Sequence, residues 1–546
     1  MTTFWGRVGL RLMLVVMVLI CVGWVWLRFP ATVSIATASA QPSSGGQSFS
    51  LDTATIDSIN AAFDGGALTS EKLVGLYMSR IAAYENKGPN INAFININPD
   101  PLTQARELDQ ERRSKGRRSP LHGIPIVLKD AYNTSDLPTT GASIALKDVH
   151  PAQEAFVVQK LREAGAIILG KTNLTEMVTA ALDSSLGGRT SNPWDLTRTP
   201  GESSSGTGAA LAANFAPIGT GTDNGQSVRS PASAGGLIAL KPTIGLVSCA
   251  GVIPSSLSHN ACGPLARSVS DLAYLLDVMV GFDPRDPMTR LALGQIPKTY
   301  TAFLDANGLR GAKFGVVVEL MGDKPEHAEV NRVFKEATDR LVSLGATVVP
   351  VRIPNMNDYS VNKIGVDNYE CWELMDRWFA ELGPTSPYHS AAEFLDKGKG
   401  KYDPRIEPRL RERQARSGPK FLKEYEQRLL KMYEFRRLLV EIMDKNSLDA
   451  MVYPLQKRLV AEHGQPNADR NGFLASMGML PAIDVPAGYS RPLPSAPDGV
   501  PIGMDLLGRP FDDGRLVRLA YAWEQNGLRR KWSSNAPPLP GESFRY

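Results

Sequence analysis

Over residues 51–111 the apolar positions recur mostly at helical spacing. Leu73, Val74, Tyr77, Met78 and Ile81 share one face behind a Thr69/Ser70 cap. Beyond that stretch the period changes. Short apolar runs predict strands at residues 124–128, 166–169, 216–220, 313–318, 347–351 and 450–453. Helical patterns separate them. The clearest sets Val330, Val333, Phe334, Ala337, Leu341 and Leu344 on one face and stops at Gly345. This alternation predicts an α/β protein with a mixed, largely buried sheet. Residues 355–475 are charged, spotted with prolines and mainly helical, with aromatics such as Tyr369, Trp372 and Trp378. They are expected to cover one side of the sheet. No internal repeat and no linker divides the body, so residues 49–546 are predicted to form one large domain.

The first 48 residues follow another pattern. Leu12 to Leu27 is an apolar run without a charge, preceded by Arg7 and Arg11. As a helix it would be about 24 Å long, short of the roughly 30 Å hydrocarbon core. An A-x-A pattern, Ala38-Ser39-Ala40, and a Ser/Gly/Gln-rich stretch follow. The segment reads as a secretory signal cleaved after Ala40, with retention of residues 12–27 as a membrane anchor the alternative. Either way the body is expected to be exported and to work in a periplasmic or extracellular compartment. Outside this segment the cysteines are Cys249, Cys262 and Cys371. An odd count is not a disulfide framework. A Cys249–Cys262 bridge is allowed by the compartment, and nothing in the sequence requires it.

Composition adds exclusions. With 43% hydrophobic and 21% charged residues, the 546-residue chain is not globally disordered. Its 60 basic and 56 acidic side chains nearly balance, which argues against nucleic acid as a main partner. The basic run at residues 112–118 reads as a solvated helix end, with an anionic docking patch as the alternative. Histidines are scattered and no zinc-ligand spacing occurs, so neither a metal nor a cofactor is expected.

Two stretches bear on chemistry. Gly165 to Thr172, GAIILGKT, fits the phosphate-binding loop G-x-x-x-x-G-K-[ST]. A helical pattern at about residues 152–164 precedes it, however, and Gly165 sits where a helix stop belongs. The residues between the glycines read as the strand itself, whose N–H groups serve a sheet ladder rather than a phosphate. Lys171 is then a strand-end or loop residue. The second stretch runs from Pro200 to Pro242 and is rich in Gly, Ser and Ala. Residues 204–215 read as a small-residue helix and 221–227 as a tight loop. That loop sets Ser227 among free backbone N–H groups of the kind an oxyanion hole requires. Alone, it also reads as a Gly/Ser turn with no chemistry. Upstream, Lys129 ends an apolar strand in HGIPIVLKD. Taken alone it also reads as a snorkelling lysine.

Together these pieces resemble the amidase signature family. Its pattern is a lysine after H-G-I-P-I-x-x-K-D, a serine in P-G-G-S-S-G-G and a second serine in G-T-D-x-G-G-S-I-R. Here Lys129 stands in HGIPIVLKD, Ser203 in PGESSSG and Ser227 in GTDNGQSVRSPAS, followed by GLIALKPT. The motif core spans residues 120–270. The resemblance implies the amidase signature fold, a twisted mixed sheet covered by helices. It implies a Ser–cisSer–Lys triad in which Ser227 is the nucleophile, Ser203 the bridge with a cis peptide, and Lys129 a neutral base. The backbone N–H groups of Asn224, Gly225, Gln226 and Ser227 would hold the oxyanion. Ser204 and Arg229 would support the triad, and for Arg229 a purely structural role is an equal reading.

The implied reaction is cleavage of a small-molecule amide through an acyl-enzyme, with side esterase activity, by a monomer or homodimer. Two alternatives stand beside it: the glutaminase subunit of a tRNA-dependent amidotransferase, which the signal-like N-terminus argues against, and a non-catalytic binding protein. The chain departs from the pattern at Glu202 and Ser205, which replace glycines, at Gln226 before the nucleophile, and at Asn260, where Asp is frequent. Gln226 would narrow the acyl pocket, donate a hydrogen bond or point into solvent. Specificity is expected to rest on residues 355–475 and on the neighbourhood of Gln226.

Overall fold

The computed structural model describes residues 48–179, 183–527 and 530–546. The apolar run 12–27 and the Ala40 site lie outside the described residues. Among those described, no helix is long and apolar enough to cross a membrane. In chain order the strands are β1 (Ser48–Ser50), β2 (Phe94–Ile97), β3 (Pro125–Lys129), β4 (Ile167–Thr172), β5 (Ile218–Asp223), β6 (Ile238–Lys241), β7 (Ala261–Ala266), β8 (Lys313–Val317), β9 (Thr347–Val351), β10 (Ala450–Pro454), β11 (Ala482–Tyr489), β12 (Pro501–Leu507) and β13 (Ser543–Arg545). β1 and β13 pair with each other. The other eleven form one mixed sheet in the order β2-β4-β3-β5-β7-β6-β11-β12-β10-β8-β9. Helices flank it, giving a single α/β domain.

The six strands read from apolar runs are present, with shifted ends. β4 runs on through Gly170 and Lys171 to Thr172, paired with β2 and β3. Lys171 is therefore near the end of a strand, one residue before its last, and not in a loop. It is buried and faces Asp130 across 2.9 Å. A carboxylate at that distance is what lets a lysine continue a buried strand. The helix before it spans Phe156–Glu163, and the segment holds no phosphate-type loop.

Five strands of the sheet escaped the pattern. β2 is four residues long, inside the stretch read as mostly helical. β7, β11 and β12 carry Gly and Pro, and β11 and β12 each bury an aspartate, Asp484 and Asp505. Such residues are depleted in strands and interrupt an apolar run. Cys249 and Cys262, for which the sequence required nothing, are joined as a disulfide with Cα atoms 5.8 Å apart. Cys371 is buried and free. In the basic run, Arg112 and Arg118 are engaged by Asp64 and Glu111, so it is a paired helix end rather than a bare patch.

The region after residue 355 is helical, as its pattern predicts, over Asp367–Glu381, Ala391–Lys397, Glu407–Arg416 and Leu422–Lys445. Met432, Phe435, Leu439 and Met443 of the last helix pack with Val317, Val351, Met451 and Tyr453 at the β9–β8–β10 end of the sheet. At the other end lies the Ser205–Ala212 helix, buried at every residue and packed on β3, β4 and β5. Only side chains this small let a helix lie so close to a sheet. A Cβ at Gly206 would fall on the backbone of Ala93 and Asn173. Gly206→Ala is therefore expected to destabilise the fold by about 1–3 kcal/mol, read as a lower urea midpoint at unchanged slope. An unshifted midpoint would show that the helix has room to move.

Candidate active site

β3 is flanked by β4 on one side and β5 on the other, both parallel to it. The chain leaves β3 to build β4, then crosses back to build β5. Such a reversal opens a crevice beyond the carboxyl ends of the strands, the usual place for a ligand in parallel sheets. Lys129 is the last residue of β3, and Thr222 and Asp223 end β5. Register sets Leu128 beside Thr220, which brings Lys129 level with the end of β5.

Lys129 is fully buried. Its Nζ lies 2.7 Å from Ser203 Oγ and 2.7 Å from Thr222 Oγ1, and among the described residues no carboxylate touches it. Burial pulls its pKa down to about 7, against the opposite pull of Asp223. Lys171, equally buried, differs in having the Asp130 carboxylate at 2.9 Å. Burial lowers the Lys171 pKa too, but there a touching carboxylate opposes it, whereas around Lys129, among the described residues, only hydroxyls touch the amine.

Ser203 precedes the small-residue helix, and the Glu202–Ser203 peptide is cis. Its carbonyl accepts from Thr175 N at 3.1 Å. Ser204, next along, ties the two serine loops together. Its N–H donates to the Ser227 carbonyl at 3.2 Å, and its hydroxyl accepts from Thr222 N at 3.4 Å. Ser227 sits in the loop between β5 and the Arg229–Gly235 helix. Among the described residues, none of the backbone N–H groups of Asn224, Gly225, Gln226 and Ser227 donates a hydrogen bond to protein. These four residues line one cavity of about 630 Å³ together with Ser203.

Arg229 holds this loop from behind. Fully buried, its guanidinium reaches Asp223 at 3.0 Å, the Gly225 carbonyl at 2.8 Å, the Gly472 carbonyl at 3.0 Å, and Asp505 of β12. The Asp223 carboxyl would be raised by burial, but Arg229 holds it below its ordinary range. Gln226 does not point into solvent. It is 4% exposed, its Oε1 accepts from Gly472 N at 3.3 Å, and it forms part of the cavity wall. Glu202, the other departure from the family pattern, pairs with Arg470 at 2.6 Å across the cavity rim.

Several residues of the site, some of them outside the cavity wall, were not singled out from sequence. Thr222 shares the lysine, and strand alternation from Thr220 would have found it. His259, Asp367, Arg409 and Arg413 also line the cavity. The last three lie in the 355–475 region, where no motif marks them. Ser256 donates to Glu370 at 2.5 Å and so accepts from His259 Nδ1 at 2.9 Å. That leaves His259 Nε2 as a bare acceptor.

The Amidase family profile matches residues 72–517. An Arabidopsis thaliana protein named as a probable amidase is 35% identical over 508 residues, which span 88% of this chain and 92% of that protein. A glutamyl-tRNA(Gln) amidotransferase component of Rippkaea orientalis is 32% identical over 482 residues, 85% of this chain and 95% of that protein. The solved structure of native peptide amidase from Stenotrophomonas maltophilia matches with a TM-score of 0.79 at 32% identity, covering 89% of this chain and 99% of that one. The motifs around the cavity, the sheet that carries them and these matches agree: the chain belongs to the amidase family of amide-hydrolysing enzymes.

Proposed function

We propose that the protein hydrolyses a carboxamide through an acyl-enzyme on Ser227, with Lys129 as base and Ser203 as relay. The observation that carries this reading is the buried amine whose hydrogen-bond partners are two hydroxyls, one of them Ser203. A neutral amine has the lone pair a base needs, and a pKa of about 7 leaves much of it neutral at physiological pH.

The steps follow from the layout. Ser227 Oγ attacks the amide carbonyl carbon while its proton passes to Ser203, whose own proton passes to Lys129 Nζ. The resulting oxyanion is held by the free N–H groups of residues 224–227. Each such donor is worth about 3–4 kcal/mol where water is excluded. Collapse breaks the C–N bond. The Lys129 ammonium returns its proton through Ser203 to the leaving nitrogen, which departs as ammonia or an amine. Water then attacks the acyl-enzyme by the same relay, releasing a carboxylate and restoring Ser227. An ester offers the same carbonyl and a better leaving group, so side esterase activity belongs to the same proposal. Likeness to peptide amidase makes amidated peptides the first substrates to assay.

Ser227→Ala is expected to lower kcat/KM by about 10,000-fold or more and to abolish labelling by a fluorophosphonate. Label found on another serine, or retained turnover, would refute the assignment. For pH, the base works only when neutral. The free enzyme's kcat/KM should climb about tenfold per unit up to roughly pH 7 and then level off. A profile flat from about pH 5 to 9 would remove Lys129 as the base.

The same shift has a stability consequence of definite sign. The folded Lys129 pKa lies below the unfolded one, so between about 7 and 10.5 the unfolded chain binds more protons. The lysine's contribution to stability therefore rises with pH across that window. At and below about pH 7 the buried amine costs on the order of 3–5 kcal/mol. Lys129→Met is expected to raise Tm at pH 6 while destroying activity. A lower Tm at that pH would mean that the amine's contacts outweigh its desolvation.

A further inference from the structure

Arg413 is 1% exposed, yet its guanidinium makes no hydrogen bond to any described residue. Its Nε and Nη1 are buried and unpartnered, and its nearest carboxylate oxygen, on Asp367, stands 3.8 Å from Nη2. A guanidinium has five donors, and buried donors are nearly always paired. This one lines the same cavity as Ser203 and Ser227.

The other charges of the cavity wall are already spent. Glu202 is taken by Arg470 at 2.6 Å. Asp367 is taken by Arg409 at 2.6 Å, which, four residues from Arg413 on the Glu407–Arg416 helix, shares its face. Burial would raise the Asp367 carboxyl, but Arg409 and Arg413 hold it below its ordinary range. One carboxylate thus faces two guanidinium groups. Glu370, the next acid on the helix that carries Asp367, is filled by Ser256, the Leu257 and Ser258 N–H groups and Tyr425. Among the described residues, one positive charge of the cavity remains without a counter-ion of its own.

The geometry points to Arg413 as the binding site for a carboxylate on the substrate, so that the enzyme prefers amides that carry an acidic group. The arginine fork donates charge-assisted N–H···O bonds to a carboxylate, and a neutral substrate offers no such acceptor. Arg409 positions the site by drawing Asp367 toward itself. This specificity rests on the acyl-enzyme reading of the same cavity.

The test uses monoamides of straight-chain dicarboxylic acids of increasing length, each against the unsubstituted alkanamide of equal length. Wild type should favour the acidic amide by about tenfold or more in kcat/KM at the best length, and Arg413→Gln should cut that ratio by about tenfold. Arg413→Lys, which keeps the charge and loses the fork, should retain part of it. A folding defect lowers both substrates together and leaves the ratio in place. Calorimetry on Ser227→Ala reads binding without turnover. If acidic amides bind there only when Arg413 is present, yet wild type hydrolyses none, the acyl-enzyme reading fails and the carboxylate site stands. Equal turnover of acidic and neutral amides at every length, a ratio unmoved by Arg413→Gln, or binding that ignores Arg413 overturns the proposal.

Discussion

An amine kept out of water, with hydroxyls and no carboxylate for company, is the constraint on which this molecule turns. Free lysine holds its proton to about 10.4, so bringing it near neutrality takes on the order of 4–5 kcal/mol. That energy comes from folding: β3 carries Lys129 into a fully dry position, and Ser203 and Thr222 saturate it without fixing its charge. On the adjacent strand, Lys171 is equally dry but has the Asp130 carboxylate at 2.9 Å; burial lowers its pKa as well, and Asp130 opposes that pull. Two lysines at the same end of neighbouring strands thus differ by one touching carboxylate.

The sheet's topology supplies the rest. Because β4 and β5 flank β3, the loops that follow them rise on either side of Lys129. One loop brings Ser203 and the other Ser227. The Ser204 N–H to Ser227 carbonyl bond fastens them together. Rigid strands fix the amine, whereas the free N–H groups of residues 224–227 lie in a loop that needs outside support. Arg229 provides it, by spending its donors on Asp223, Gly225, Gly472 and Asp505. Its contacts clamp the backbone at Gly225 and Gly472, which is the structural reading of Arg229.

Legibility in the sequence followed chemistry. Apolar runs such as residues 347–351 declared their strands, and the amphipathic face from Val330 to Leu341 its helix. The motif residues could be named because they are local in sequence: HGIPIVLKD carries both a strand and its terminal lysine. β11 and β12 stayed hidden because their buried aspartates look like loop residues until Arg229, far away in sequence, is seen to satisfy Asp505. Arg413 was equally silent. It stands in a charged helix with Arg409, Arg411 and Arg416, and only its complete burial distinguishes it from them. Periodicity reports what a residue's own element does, and says nothing of a partner contributed by another part of the fold.

The reach of Arg229 to β12 also bears on biosynthesis. Asp505 belongs to one of the last strands made, and Glu542, which neutralises the buried Arg80 across 3.0 Å, comes later still. A ribosome-bound chain that has emerged through residue 270 holds Lys129, Ser203 and Ser227 yet lacks the Asp505 carboxylate that Arg229 grips behind the loop of residues 224–227. The clamp on the loop of residues 224–227 is therefore complete only once residue 505 has been made and folded into the sheet.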